Sequence, residues 1–88
     1  MVKTDFQFIR FSKLAPKPGT STDIWACVNK HHVAQIGIVK WYAPWRQYCF
    51  FLNEERSLAC YGVVLSAGCM ENIAEFCKSL MAERRIKA

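Results

Sequence analysis

Between Ser66 and Arg85 the apolar residues fall at Cys69, Met70, Ile73, Phe76, Cys77, Leu80 and Met81. Steps of three and four are the period of an α-helix with one apolar stripe, so the spacing predicts one amphipathic helix over 66–85. Ser66 is the expected N-cap. Glu71 and Glu75 come early and Lys78, Arg84, Arg85 and Lys87 late, the order that a helix dipole favours. A lone helix of this length is marginal in water and needs a surface for its stripe. The rest of the chain must supply that surface.

Upstream the pattern changes to short aromatic and β-branched runs separated by turn residues, which reads as strands. The runs are 5–11, 24–29, 33–42 and 46–52, with a short fifth candidate at 62–65. Residues 14–22 are rich in Pro, Gly, Ser and Thr and read as a loop. Residues 30–32 make a turn, and Ala43-Pro44 breaks the third strand because proline donates no hydrogen bond. Residues 53–60 carry Glu54 and Glu55 and read as a solvated loop. The expected fold is α+β: an antiparallel β-meander of four to five strands within 5–65, with one C-terminal helix packed on one face. At 88 residues it is a single domain over 1–88.

Side chains alternate across a sheet, so register assigns the faces. An even loop around Ala43-Pro44 sets Tyr42 opposite Trp45 and Trp41 opposite Arg46. One face then carries Ile36, Ile38, Cys49 and Phe51, ending in Lys40 and Gln47. The other carries Gly37, Val39, Trp41, Arg46, Tyr48 and Phe50. An even loop at Lys30-His31 adds Trp25 and Cys27 to the first face, and Ile24, Ala26 and Val28 to the second. The first, aliphatic face is the expected seat of the helix. The second needs its own cover: Phe6, Phe8 and Phe11 of the N-terminal segment, a second copy of the chain, or a ligand. Self-coverage or dimerisation is favoured over a ligand, because an exposed aromatic patch is a solubility hazard.

Several function classes are set aside. No apolar run approaches the ~20 residues that span a bilayer, and residues 1–10 lack the apolar core of a signal peptide, so a cytoplasmic protein is expected. The five cysteines, Cys27, Cys49, Cys60, Cys69 and Cys77, are odd in number and contain no C-x-x-C. Free thiols, mostly buried, are expected rather than disulfides or a zinc site. His31 and His32 are adjacent, which is poor geometry for one metal. Glycines are scattered and no nucleophile–base spacing stands out, so no enzyme, catalytic residue, metal or cofactor is expected.

What remains is charge and aromaticity. Residues 1–50 hold seven basic and two acidic residues while 51–88 hold five of each, so the whole surplus of +5 lies in the first half. The densest patch is residues 40–48, with Lys40, Trp41, Trp45, Arg46 and Tyr48 as the candidate binding residues. Exposed aromatics stack bases and cations neutralise phosphates, which points to nucleic acid, with Lys13, Lys17, Lys30, Lys40 and Arg46 as phosphate contacts. The same residue types dominate protein interfaces and cross-strand pairs, where Trp41 and Arg46 would stack by cation–π. A protein-interaction module, homodimeric or bound to another protein, is therefore the alternative.

The runs Ile36-Gly37-Ile38-Val39-Lys40-Trp41-Tyr42 and Trp45-Arg46-Gln47-Tyr48-Cys49-Phe50-Phe51, followed by Ala67-Gly68-Cys69 and Ile73-Ala74-Glu75-Phe76, resemble a group of small phage and prophage proteins. Those carry an IG-x-(I/V)-KWY-x-x-WRQY-x-F hairpin and an A-x-C-(L/M)-x-(D/N)-IA-x-F helix start. The likeness covers roughly residues 33–80. It departs at Leu52, where the related pattern has proline. It implies a phage-encoded accessory protein acting in the host cytoplasm, binding either nucleic acid or a host protein.

Overall fold

The computed structural model describes residues 2–15, 19, 22–31, 34–52 and 65–87. Strands β1 (Ile9–Lys13), β2 (Trp25–Asn29), β3 (Ala34–Tyr42) and β4 (Gln47–Leu52) form one antiparallel sheet in the order β1-β2-β3-β4. Helix α1 (Ala67–Lys87) packs across one face of it. The α+β meander with one C-terminal helix is thus the architecture. Of the candidate fifth strand, 62–64 lie outside the described residues, as do the loop 53–60, Lys17 and His32. Among the described residues no helix is long and apolar enough to cross a membrane.

Ser66 caps the helix: its Oγ accepts from the Cys69 N–H at 3.2 Å and its carbonyl from the Met70 N–H at 3.0 Å. The buried stripe is Cys69, Ile73, Phe76 and Leu80. Phe76 is its centre, stacked on Phe11 at 3.9 Å between centroids and edge-on to Trp25 and Phe6.

The N-terminal run does not form one strand over 5–11. Asp5 bridges Arg10, the Phe11 N–H donates to the Thr4 carbonyl and the Phe6 N–H to the Ile9 carbonyl, so the chain turns over 6–9. A continuous strand would send Phe6 and Phe8 to one face and Ile9 and Phe11 to the other. The turn brings Phe6, Ile9 and Phe11 into one core. Phe8 lies against Gly68, where a Cβ would meet its ring at 2.4 Å, and its N–H donates to Asn72 Oδ1 at 3.0 Å. Lys30 ties down the same turn, through Asp5 Oδ1 at 2.7 Å and the Phe6 carbonyl at 2.8 Å. That ammonium holds the Asp5 carboxyl below its usual range.

Two features correct the expected faces. First, β2 and β3 pair Cys27 with Gly37 but Val28 with Gln35, leaving Ile36 as an extra, bulged residue. Beyond the bulge the alternation is inverted: Trp25 pairs with Val39 and Ala26 with Ile38. Trp25 and Cys27 therefore share a face with Val39, Trp41 and Tyr48, and Ile36 turns onto that face too. Second, the helix joins the N-terminal phenylalanines, a cover expected for this face, and does not seat on the Ile38–Phe51 face. The covered face is the better seat because it gathers Ile9, Phe11, Trp25, Cys27 and Val39 from three strands. The opposite face carries Ser12, Ala26, Val28, Ile38, Lys40, Tyr42, Cys49 and Phe51, and no described element lies over it.

Candidate nucleic-acid interface

The β3–β4 connection is a single 3-10 turn, Ala43–Trp45, with Pro44 early in the turn, where its missing N–H is harmless. Arg46 closes it with a left-handed backbone at φ 54, its N–H donating to the Ala43 carbonyl at 3.1 Å. The loop thus holds four residues, and Tyr42 pairs with Gln47, Trp41 with Tyr48 and Lys40 with Cys49. The register is two residues away from the expected one. A two-residue slip keeps the faces of β3 and β4 but changes every neighbour. Arg46 does not lie opposite Trp41; it sits at the tip.

The five sequence-derived site residues fall into two groups. Trp41 and Tyr48 lie on the helix side, edge-on to each other at 5.5 Å. Arg84, from the last turns of α1, sets its guanidinium 4.2 Å over the Trp41 ring, and its charge acts on the Tyr48 phenol. This is the cation–π contact expected of Arg46, supplied by a residue far along the chain. Burial raises the Tyr48 phenol above its ordinary range, and Arg84 opposes that shift. Trp41 and Tyr48 are therefore half-buried supports of the hairpin.

Lys40, Trp45 and Arg46 belong to the tip and to the sheet face opposite the helix. Trp45 is 66% exposed. Its ring meets Tyr42 edge-on at 5.1 Å, Tyr42 meets Phe51 at 5.8 Å, and the Lys40 ammonium lies 4.8 Å over Phe51. The result is a row of three rings running from the tip onto the sheet, with cations beside it. Tyr42 and Phe51 were not among the sequence-derived residues; their membership in the Lys40 face was the available signal. No carboxylate occurs in any of the four strands. Of the expected phosphate contacts, Lys13 is paired with Asp23 at 3.3 Å and Lys30 with Asp5. Among the described residues Lys40 and Arg46 have no carboxylate partner.

Of the described cysteines only Cys49 lies on this face, opposite Lys40. Cys27, Cys49, Cys69 and Cys77 are free thiols, with Cys27 and Cys69 buried. Among the described residues no group of three or more His, Cys, Asp or Glu could hold a metal. Burial pushes the Cys27 thiol up to about 12 and the Cys77 thiol up to about 11, both from 9.0, with neighbouring thiols adding to each shift. A raised folded-state value favours the protonated thiol, so this stabilisation is complete below pH 9 and is lost as pH rises through 11 and 12. Urea midpoints should fall over that alkaline window, and the fall should be shallower in Cys27→Ala/Cys77→Ala; an equally steep fall in both proteins would refute the assignment.

This sequence matches no family model, and neither a curated protein nor a solved structure matches it.

Proposed function

We propose that this chain is a small, non-enzymatic, phage-type accessory protein that binds single-stranded nucleic acid on the sheet face opposite the helix. Trp45, Tyr42 and Phe51 would stack bases, while Lys40 and Arg46 neutralise phosphates. The observation that carries this reading is the row Trp45–Tyr42–Phe51, exposed at Trp45 and half-buried at Tyr42 and Phe51, with Lys40 beside it. Aromatic rings on a sheet between cations suit splayed bases, which every single strand presents. In this reading Trp41 and Tyr48 act through Arg84 to hold the hairpin and touch no ligand.

The test is a tryptophan-fluorescence titration with short single-stranded and duplex DNA and RNA at two salt concentrations. Trp45 is the most exposed of the three indoles, since Trp25 and Trp41 are half-buried. Saturable quenching by single strands, fading with salt, is expected. Trp45→Ala should cost roughly tenfold to a hundredfold in affinity, from a stacking contribution of about 1–3 kcal/mol. Arg46→Ala should lower the salt slope by about one. Absence of quenching at low salt would sink the proposal.

A second reading rests on the centre of the same face, where Ala26, Val28 and Ile38 are apolar. A host or phage protein docked there would bind with little salt dependence, which separates it from a nucleic acid.

A further inference from the structure

We propose that Arg84 is a positioning residue for the nucleic-acid face: from the last turns of α1 it latches the tip of the β3–β4 hairpin, and so fixes how Trp45 and Arg46 stand relative to the sheet. This deepens the nucleic-acid reading and rests on it.

The helix stripe sets the contact. Cys69, Ile73, Phe76 and Leu80 are buried against the sheet. Steps of three and four bring Arg84 next onto the same side, one turn beyond Leu80. An arginine thus stands where the stripe calls for another apolar residue. Its stem covers apolar surface while its planar head stacks on a ring. That ring is Trp41, 4.2 Å from the guanidinium.

The hairpin needs such a hold. Strand β2 begins at Trp25, opposite Val39, so Lys40, Trp41 and Tyr42 pair with β4 alone. From there to the turn the sheet is a two-stranded ribbon, which is marginally stable by itself in water. Val39 belongs to the core and Phe50, its partner on β4, packs on it. In the next pair on the helix side, Tyr48 still packs on the core, but Trp41 is half-buried and lies outside it. Beyond Tyr42 and Gln47 comes the turn Ala43–Trp45, which has no buried residue with which to grip the body. Among the described residues, Arg84 is the helix residue seated on Trp41.

The ring row crosses this ribbon. Phe51 pairs with Ile38, where β2 still flanks β3, whereas Tyr42 and Trp45 lie in the ribbon and its turn. The spacing from Phe51 to Trp45 therefore depends on how the ribbon is held. A ribbon that swings must be ordered on binding, and affinity falls by that cost. Arg84 acts from the helix side, opposite the ring row, so it sets the spacing without touching the ligand.

The experiment measures binding of a fluorescein-labelled single-stranded oligothymidylate by anisotropy at two salt concentrations, for the parent, Arg84→Ala and Arg84→Lys. Amide exchange of the free proteins accompanies it. Arg84→Ala should weaken binding about threefold to tenfold with the salt slope unchanged. Arg84→Lys keeps the charge but loses the planar stack, and should recover only part. In free Arg84→Ala the Arg46 amide, bonded to the Ala43 carbonyl in the parent, should exchange faster while β1 and β2 keep their rates. Should Arg84→Ala fail to fold by circular dichroism, the same readouts on Arg84→Lys decide. Unchanged affinity, full recovery in Arg84→Lys, or an unchanged Arg46 amide would each overturn the proposal. So would a salt slope lowered by about one, which would make Arg84 a phosphate contact itself. A parent that binds no oligonucleotide defeats the nucleic-acid reading instead, and exchange at Arg46 alone then decides whether Arg84 holds the tip.

Discussion

Phe76→Ala should remove most of the stability of this protein. Phe76 is fully buried and joins the N-terminal turn, β1, β2 and the helix through Phe6, Phe11 and Trp25. Truncating a buried phenylalanine costs about 3–5 kcal/mol, because the cavity it leaves collapses only in part. A domain of this size has about 5–15 kcal/mol in total, and a small core places it toward the lower end. Chemical denaturation followed by far-UV circular dichroism measures the loss. Phe76→Leu, which keeps most of the volume, should fall between the variant and the parent. A Phe76→Ala cost under about 1 kcal/mol would mean that the helix is not held by this residue.

Gly37→Val should be the most damaging change in the sheet. A Cβ at Gly37 would stand 2.3 Å from the Phe51 carbonyl oxygen and 2.6 Å from the Phe50 ring. A ring tip can swing away, but a carbonyl in the β3–β4 ladder moves only if β4 moves. Overpacking of this kind costs about 1–3 kcal/mol, and the displaced ladder adds to it. The damage should be local. Amide exchange in β4 should speed up more than exchange in β1 or β2. Even Gly37→Ala meets the same carbonyl, so an alanine variant with an unchanged denaturation midpoint would refute the close approach.

Gly37 also marks the limit of what sequence patterns carry. It follows Ile36, the one residue skipped within the β2–β3 pairing. Local alternation locates β3 to within a residue but gives no sign of the bulge, because a bulge depends on how two strands settle against each other. That one unpaired residue moves Trp25 and Cys27 to the other face and brings the helix with them. The register of the β3–β4 hairpin is a similar case. Pro44 announces a break, but the 3-10 turn and the left-handed Arg46 that set the loop at four residues emerge only with the folded hairpin. Of the candidate site, Lys40, Trp45 and Arg46 remain together at the tip and on the face opposite the helix, while Trp41 and Tyr48 turn toward the helix. Arg84 was not legible at all, since its contact with Trp41 joins the last turns of the helix to β3, residues far apart in the chain.

The sequence by itself determined the helix, its Ser66 cap, the last three strands nearly to the residue, and the confinement of the excess positive charge to the first half. Each is set by period, propensity or composition within a short stretch, and a local signal suffices for a local choice. The tertiary structure alone decided the turn at 6–9, the face the helix occupies and which aromatic rings it buries. Those outcomes depend on the summed burial of Phe6, Phe11, Trp25, Val39 and Phe76 in one core, a sum over residues far apart in the chain that no single stretch encodes.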